Sequence, residues 1–342
     1  MTILYHLTSP APYLPETDAV FQEVQTLQGY FGGEIIHLYP FRRPGIRWPR
    51  ALYGWHKWRE LRSKENTACL HHVFANELFP FPLYLSLNRP VIYSIVASVQ
   101  AQRIRPRPAW FPFVKKIIVS NQRDLNALQR WGFTNCELIR PGIDVARFSH
   151  TPLREGSKFI ILAGSAPWVN AHFRQKGFDV LLQAVQTLPA LHLVLLWRGV
   201  LFEEINDRIK RYGLAERVEI INRKVEVNEV LAHVHAAIVL ADRPEIVKAY
   251  PHSLLEALAA GKPVLVSRAI PMADYVNESC CGSVVEELKL DQVCRAIEQL
   301  RRNYNNYQIN ALKIGQQDFS ASTMLTKYKR VYEEEALTLK HT

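Results

Sequence analysis

No stretch of this 342-residue chain stays apolar long enough to cross a bilayer as a helix. The longest runs, such as Ile238-Val239-Leu240-Ala241, are the length of a strand and are soon broken by charge. Met1-Thr2-Ile3-Leu4-Tyr5-His6-Leu7 has neither a basic leader nor a small-residue cleavage site, so it reads as a first strand rather than a signal peptide. There is no low-complexity tract and no heptad run, which excludes a fibrous or disordered chain. Cysteine is scarce, with five residues (Cys69, Cys136, Cys280, Cys281, Cys294), odd in number and without C-x-x-C spacing. The adjacent pair Cys280-Cys281 does not suit disulfide geometry, so reduced thiols in a cytoplasmic protein are expected, with no metal site.

What is present is the composition of a globular protein, 48% hydrophobic and 22% charged, and long enough for two α/β domains. The net charge of +10 is uneven. Residues 1–150 carry 18 Lys/Arg against 10 Asp/Glu, and residues 151–342 carry 24 against 22. The excess gathers in two segments. Arg42, Arg43, Arg47, Arg50, Lys57, Arg59, Arg62 and Lys64 are interleaved with Trp48, Trp55 and Trp58, and Arg103, Arg105, Arg107, Lys115 and Lys116 surround Trp110, Phe111 and Phe113. Cations beside aromatic rings suit an anionic membrane surface or a phosphorylated acceptor. They would also suit nucleic acid, but neither segment lies in a reader motif, so no nucleic-acid partner is expected. A solvated basic face over buried tryptophans is the plainer alternative.

Strand-like and helical stretches alternate twice along the chain. The first series is Thr2–Leu7, Thr17–Tyr30 (helix), Glu34–Leu38, Ala68–Val73, Val91–Ile95, Lys116–Ser120 and Gln122–Trp131 (helix). A short strand from Cys136 then breaks at Pro141-Gly142, and the polar residues 151–157 read as a linker. The second series has strands at Phe159–Ala163, His192–Trp197, Val218–Ile221, Ala236–Ala241 and Val264–Ser267. Its helices are Gly177–Thr187, Glu203–Tyr212, Val227–His233, Ser253–Ala260 and Leu290–Arg302. This alternation predicts two doubly wound parallel sheets, with domains at 1–150 and 151–310 and a closing helix within 311–342, around Ser322–Ala336. Ligands in such sheets sit at the carboxyl ends of the strands.

The most informative run is Lys248-Ala249-Tyr250-Pro251-His252-Ser253-Leu254-Leu255-Glu256, continuing to Gly261-Lys262-Pro263-Val264. A loop after a buried strand here meets a helix that Ser253 is placed to cap, and the N–H groups still unpaired at a helix start attract phosphate. Glu256 stands three residues on, the spacing of a capping box, or else of a carboxylate for ribose hydroxyls. Lys248 would add a charge for a diphosphate.

The run Ser253–Val264 resembles the signature of the retaining glycosyltransferases of the GT-B fold, family GT4, the glycosyl transferases group 1. Three further stretches stand in the same order. They are Ser120-Asn121 with Arg140–Phe148, then Lys176–Ala184, then Ala269-Ile270-Pro271 with a loop at Asp274-Tyr275-Val276. The likeness covers residues 115–300 well and the first domain in outline. It implies two Rossmann-like domains facing across a cleft, and transfer of a sugar from a nucleoside diphosphate donor to an acceptor hydroxyl. The acceptor would be a lipid-linked or cell-surface glycan intermediate, and the enzyme a peripheral protein on the inner face of the membrane. No cofactor beyond the donor is implied. By the same likeness Lys176 neutralises the departing diphosphate, Ser253 and Leu254 offer backbone N–H groups to phosphates, and Glu256 holds the ribose. Asn222-Arg223-Lys224-Val225 sits where the base is held, giving Arg223 and Val225 as donor contacts.

Three positions depart from the family pattern. Lys248 stands where an acid would touch the sugar hydroxyls. Gly164 is followed by Ser165 where arginine is frequent, leaving Arg174 or Arg198 to substitute. The first loop, Ser9–Pro15, lacks glycine, and Val96 replaces a histidine, leaving His71 or His72 as the candidate there, with His71 aligning better. A strand histidine is equally a satisfied core residue. Glu16 and Asp18 suit either an acceptor or the dipole of the first helix. A catalytically inactive relative that binds nucleotide or a partner, and a sugar-nucleotide epimerase or phosphorylase, are the competing readings.

Overall fold

The computed structural model describes residues 2–11, 18–40, 48–102, 104–153, 156–197 and 200–337. They form two compact units: Met1–Gly142 with Ala321–Thr342, and Ile143–Ser320.

In the first unit β1 (Ile3–Leu7) leads to α1 (Ala19–Phe31) and β2 (Glu34–His37). A short helix α2 (Trp58–Lys64) precedes β3 (Leu70–Ala75), β4 (Val91–Ile95) and β5 (Val114–Val119). Then α3 (Gln122–Arg130) and β6 (Cys136–Leu138) complete the series. The strands form one parallel sheet ordered β2-β1-β3-β4-β5-β6. β1, β3 and β4 are buried throughout because apolar layers cover both faces, the ordinary state of a parallel sheet. One layer gathers Leu4, Val73 and Tyr93. The other gathers Ile3, Tyr5 and Phe74 with Met324, Tyr328 and Tyr332 of the closing helix Ala321–Leu337. Asp18 starts α1, its Oδ1 accepting from the N–H groups of Val20 and Phe21 at 3.0 and 2.9 Å. That fixes the local role of Asp18 as a cap; Glu16 lies outside the described residues.

The second unit runs β7 (Phe159–Ala163), α4 (Ala171–Gln175), α5 (Phe178–Thr187), β8 (Leu191–Leu196), α6 (Phe202–Arg211) and β9 (Val218–Ile221). It continues α7 (Val227–Ala232), β10 (Ala236–Val239), α8 (His252–Ala259), β11 (Val264–Ser267), α9 (Met272–Glu278) and β12 (Gly282–Val285). α10 (Leu290–Arg302) and α11 (Tyr304–Gln317) follow. Its parallel sheet is ordered β9-β8-β7-β10-β11-β12, the Rossmann order, with the reversal between β7 and β10. The unit begins before the expected linker, at Ile143. Ile143 and Phe148 join its core, and the Ser149 N–H donates to Asn228 Oδ1 at 2.9 Å. Lys262, fully buried, donates from Nζ to the Thr151 carbonyl at 2.6 Å and pins the same segment. α11 also stays with this unit, Gly315 lying so close to Leu258 that an added Cβ would come within 2.2 Å of its backbone. The residues expected as a loop, Asp274-Tyr275-Val276, lie within α9.

Candidate functional site

The reversal of strand order in the second sheet opens a crevice at the carboxyl ends of β7 and β10. Gly164 and Ser165 follow β7. Leu240 to Pro251 follow β10 and lead into α8. A Cβ built on Gly164 would lie 3.3 Å from both Cβ and Oγ of Ser253, so the β7 turn rests directly on the first turn of α8. Only glycine fits there without displacing Ser253. The sequence therefore brings Gly164, Ser165 and Ser253 together from positions some ninety residues apart.

Lys176 enters the crevice from the α4–α5 junction. It caps α4, its N–H donating to the His172 carbonyl at 2.8 Å, and Gly177 turns the chain into α5 with φ +67°. A side chain at Gly177 would approach Leu240 to 2.9 Å in a backbone conformation that L-residues disfavour, so glycine is needed twice over. The Asp242 N–H donates to the Gln175 carbonyl at 2.8 Å and ties the β10 loop to this junction. Lys176 is buried. Its Nζ donates to the carbonyl of Ser165 (3.0 Å), the Ser165 hydroxyl (3.1 Å) and the carbonyl of Ala166 (3.3 Å). Burial lowers its pKa from the usual lysine value to about 8. Ser165 has φ +63°, a left-handed conformation costing a non-glycine residue about 1 kcal/mol or more. Two of the three Lys176 hydrogen bonds hold it there. The turn thus presents a desolvated cation, a hydroxyl and a helix start in one crevice, a disposition suited to a multiply charged anion.

α8 begins two residues earlier than the capping-box reading requires. Pro251 is the N-cap and makes no side-chain cap bond, so Ser253 and Glu256 lie inside the helix rather than reciprocally capping it. The Leu254 N–H donates to the Pro251 carbonyl at 3.0 Å and is occupied, which corrects its expected role as a phosphate donor. The Ser253 N–H has no partner among the described residues. Glu256 is half-buried, four residues into the helix, and Lys248 is half-buried in the loop before it. Arg223 is exposed and Val225 half-buried after β9, on the same carboxyl edge, and Arg174 is exposed on α4. Arg198 lies outside the described residues.

His71 departs most from expectation. It sits at the amino-terminal end of β3, opposite Leu4 and Val91, and is fully buried. Its Nδ1 meets His6 Nε2 at 2.9 Å and its Nε2 meets Glu65 Oε1 at 3.0 Å. Burial would raise the Glu65 carboxyl, yet hydrogen bonds from His71 and from the N–H groups of Arg89 and Asn88 hold it at about 2. Both ring nitrogens are spent on the core, at the edge opposite to the strand ends that bind ligands, so His71 is a structural residue. His72, on the other face as alternation requires, is also buried, between Tyr332 and Ser94. Burial holds both His6 and His72 well below the ordinary histidine pKa, and hence neutral.

In the sequence Arg50 stands only within a basic segment, and nothing there marks Glu77. The structure joins them as a bidentate pair, Arg50 Nη1 donating to Glu77 Oε2 at 2.6 Å and Nη2 to Oε1 at 2.9 Å. Nearby, Trp48, Trp55 and Trp58 are exposed rather than buried, while Lys64 is paired with Glu34 and Glu60. Arg42, Arg43, Arg47 and Arg103 lie outside the described residues. Among the described residues no helix is long and apolar enough to cross a membrane, and no cluster of three His, Cys, Asp or Glu side chains is disposed to hold a metal.

Comparison with known proteins agrees with this geometry. Residues 156–314 match the family model described as Glycosyl transferases group 1, a span that contains the whole β7–β10 crevice. The lipopolysaccharide glucosyltransferase WaaG of Escherichia coli (strain K12) is 29% identical over 126 residues, 35% of this chain; the match spans about a third of that relative's length (32%). Among solved structures, HepE of Anabaena in complex with UDP superposes with a TM-score of 0.72 at 16% identity, covering 98% of this chain and 100% of that one. A glycosyltransferase from Rickettsia africae superposes with a TM-score of 0.75 at 14% identity, covering 98% of each. The fold is accordingly that of the GT-B glycosyltransferases, two Rossmann-like domains with parallel sheets. Residues 156–314, just under half of the chain, are thus similar to the glycosyl transferases group 1 family.

Proposed function

We propose that this protein is a retaining glycosyltransferase that moves a sugar from a nucleoside diphosphate donor to an acceptor hydroxyl. One observation carries the reading: the buried Lys176 ammonium is held at the β7 turn, which itself packs on the start of α8. A cation already desolvated interacts strongly with an incoming diphosphate and with the charge that grows on it as the glycosidic bond breaks. The Ser253 N–H adds a donor with no other partner among the described residues. Glu256 accepts from the ribose hydroxyls, and Arg223 and Val225 border the base. The leaving diphosphate is countered by these protein groups rather than by a required metal ion. Its own departing oxygen takes the proton of the acceptor hydroxyl, so no glycosidase-like carboxylate pair is needed. Similarity to WaaG and to the UDP-bound HepE supports the donor class.

The acceptor is a lipid-linked or cell-surface glycan intermediate, met by a cytoplasmic enzyme resting on the inner membrane face. Support comes from Trp48, Leu52, Trp55 and Trp58, all exposed, beside Lys57, Arg59 and Arg62. Sedimentation with anionic and with neutral vesicles tests this, and equal recovery with both would remove it.

A second reading, a nucleotide-binding relative without turnover, draws on Lys248 in place of an acid at the sugar. The deciding experiment incubates the protein with UDP-, GDP- and ADP-sugars, with and without acceptor, and follows the anomeric proton by NMR. Transfer with retention supports the first reading. Inversion contradicts the retaining assignment, and nucleotide binding without transfer or hydrolysis selects the second.

A further inference from the structure

The segment between β7 and α5 carries a second ionisable group beside Lys176. α4 is anchored by Phe173, which is fully buried, its ring 6.2 Å from that of Trp197 with 25° between planes and the Arg208 guanidinium 4.2 Å from its centre. His172, the residue before it, is half-buried. Its carbonyl accepts from the Lys176 N–H at 2.8 Å, and its own N–H donates to the Val169 carbonyl at 2.9 Å. Its Nδ1 accepts from the Trp168 N–H at 3.4 Å. An acceptor at Nδ1 puts the ring proton on Nε2, and that N–H has no partner among the described residues. We propose that His172 is a proton-coupled contact for the diphosphate of the donor, donating to it from Nε2 and taking up a proton as it binds. This deepens the donor site described above and rests on the transferase reading of it.

Two cations converge on the ring. Lys176 stands at the α4–α5 junction, and Arg243 stands in the loop after β10, its Nε donating to Asp242 Oδ1 at 3.1 Å. The Asp242 N–H in turn holds the Gln175 carbonyl at 2.8 Å, so both cations belong to one rim of the crevice. Arg174 is exposed on α4 itself, and Arg208 over Phe173 is paired with Asp179. Burial first, and then the charges of Lys176 and Arg243, hold His172 below the ordinary histidine pKa, so it is neutral in the empty crevice.

A pyrophosphate among these groups reverses the sign of the local field, and the imidazole that like charges kept neutral gains a proton. A third permanent cation would crowd the empty crevice. Histidine adds its charge only when an anion is there to oppose it. The incoming proton goes to Nδ1 and displaces the bond from Trp168, which is longer than an ordinary N–H hydrogen bond and joins neutral groups. The Nε2 bond to phosphate becomes charge-assisted in exchange, and the stronger interaction wins.

The test is titration calorimetry of the full chain with UDP-glucose, GDP-mannose and ADP-glucose at about pH 6.5, in two buffers of different ionisation heat. In these donors the pyrophosphate is a diester, so unlike a free nucleoside diphosphate it does not itself titrate at about pH 6. Lys176, held at about 8, is already protonated there and contributes little uptake. Wild type should bind at least one donor with uptake of roughly half a proton, and its affinity should rise by roughly fivefold from about pH 7.5 to about pH 5.5. His172→Gln keeps an amide donor but cannot titrate. It should abolish the uptake and flatten the profile, so that its deficit against wild type widens as pH falls, with an unchanged melting temperature. The His172 Cε1–H resonance, assigned by its loss in His172→Gln, should titrate at higher pH in the donor-saturated protein than in the free one. Donor binding that depends on Lys176 but carries the same proton uptake in His172→Gln would overturn the assignment and leave the transferase reading standing, as would a His172 titration unmoved by donor. No binding of any donor would overturn both. His172-dependent uptake without sugar transfer would support the contact and defeat the transferase reading instead.

Discussion

The two sheets are wound alike but present opposite chemistry where their strand order reverses. In the second unit the switch point carries a buried cation, a glycine turn and a helix start, all favourable to negative charge. In the first unit the equivalent position carries an ion pair that cancels itself and a set of aromatic rings. Strand order fixes where a ligand goes, and the residues following the strands decide which ligand. A substitution at the first unit's switch point should therefore leave anion binding at the second unit's undisturbed.

The sharpest break comes at Lys176. Lys176→Ala should lower sugar transfer by about 10²–10³-fold, the usual loss when a group that stabilises developing charge is removed. Arg50→Met should leave nucleoside diphosphate affinity unchanged. Initial rates with saturating donor, together with calorimetric nucleotide binding, check both.

Next is Gly164→Val. Its side chain must displace Ser253, which already lies 3.3 Å from the position of a bare Cβ. Nucleotide affinity should fall by roughly tenfold or more, with the fold of the first unit preserved. Calorimetric nucleotide titration and chemical denaturation measure the two effects.

A smaller effect follows from pH. Burial holds Lys176 at about 8, so the free protein loses this charge as pH rises through that value. An anion binds the protonated form better, so nucleoside diphosphate affinity should fall by several-fold between about pH 7 and 9. Affinities measured across that range should show the slope in wild type and none in Lys176→Ala. For stability the sign is opposite. The unfolded chain binds the extra proton between about 8 and the ordinary lysine value, so the contribution of Lys176 to folding improves as pH rises through that window.

The smallest functional effect belongs to His71. His71→Ala leaves His6 without its buried partner, removes one of the hydrogen bonds to Glu65, and should cost about 1–3 kcal/mol of stability, read from chemical denaturation. Its nucleotide affinity should equal that of wild type, a result a catalytic or donor-binding histidine would not give.

Much of this was legible in the sequence where local pattern and tertiary outcome coincide. The strands Val91–Ile95, Val218–Ile221 and Val264–Ser267 and the helix Leu290–Arg302 are continuous apolar or amphipathic runs, and they fall where their periodicity places them. Lys176 and Gly177 announced a helix start because the turn needs glycine at a left-handed position. Elsewhere a local signal gave way to a long-range contact. Ser253 has the composition of a cap, but the rigid Pro251, two residues earlier, takes that place. His71 fits a family position by alignment, yet its position at the amino end of β3 follows from pairing with β1 and β4, which no local spacing reveals. The Arg50–Glu77 pair spans 27 residues and has no motif. Only the end of β3 and the turn before α2, once folded together, make the pair.

The central claim is that a pyrophosphate docks on the Gly164 turn and the start of α8, opposed by Lys176. Titration calorimetry of UDP, GDP and ADP into wild type and into Lys176→Ala tests it most directly. The account predicts one-to-one binding of at least one of the three by the wild type, weakened by roughly tenfold or more in the variant with little change in melting temperature. No binding by the wild type, or equal affinity in both proteins, would contradict it.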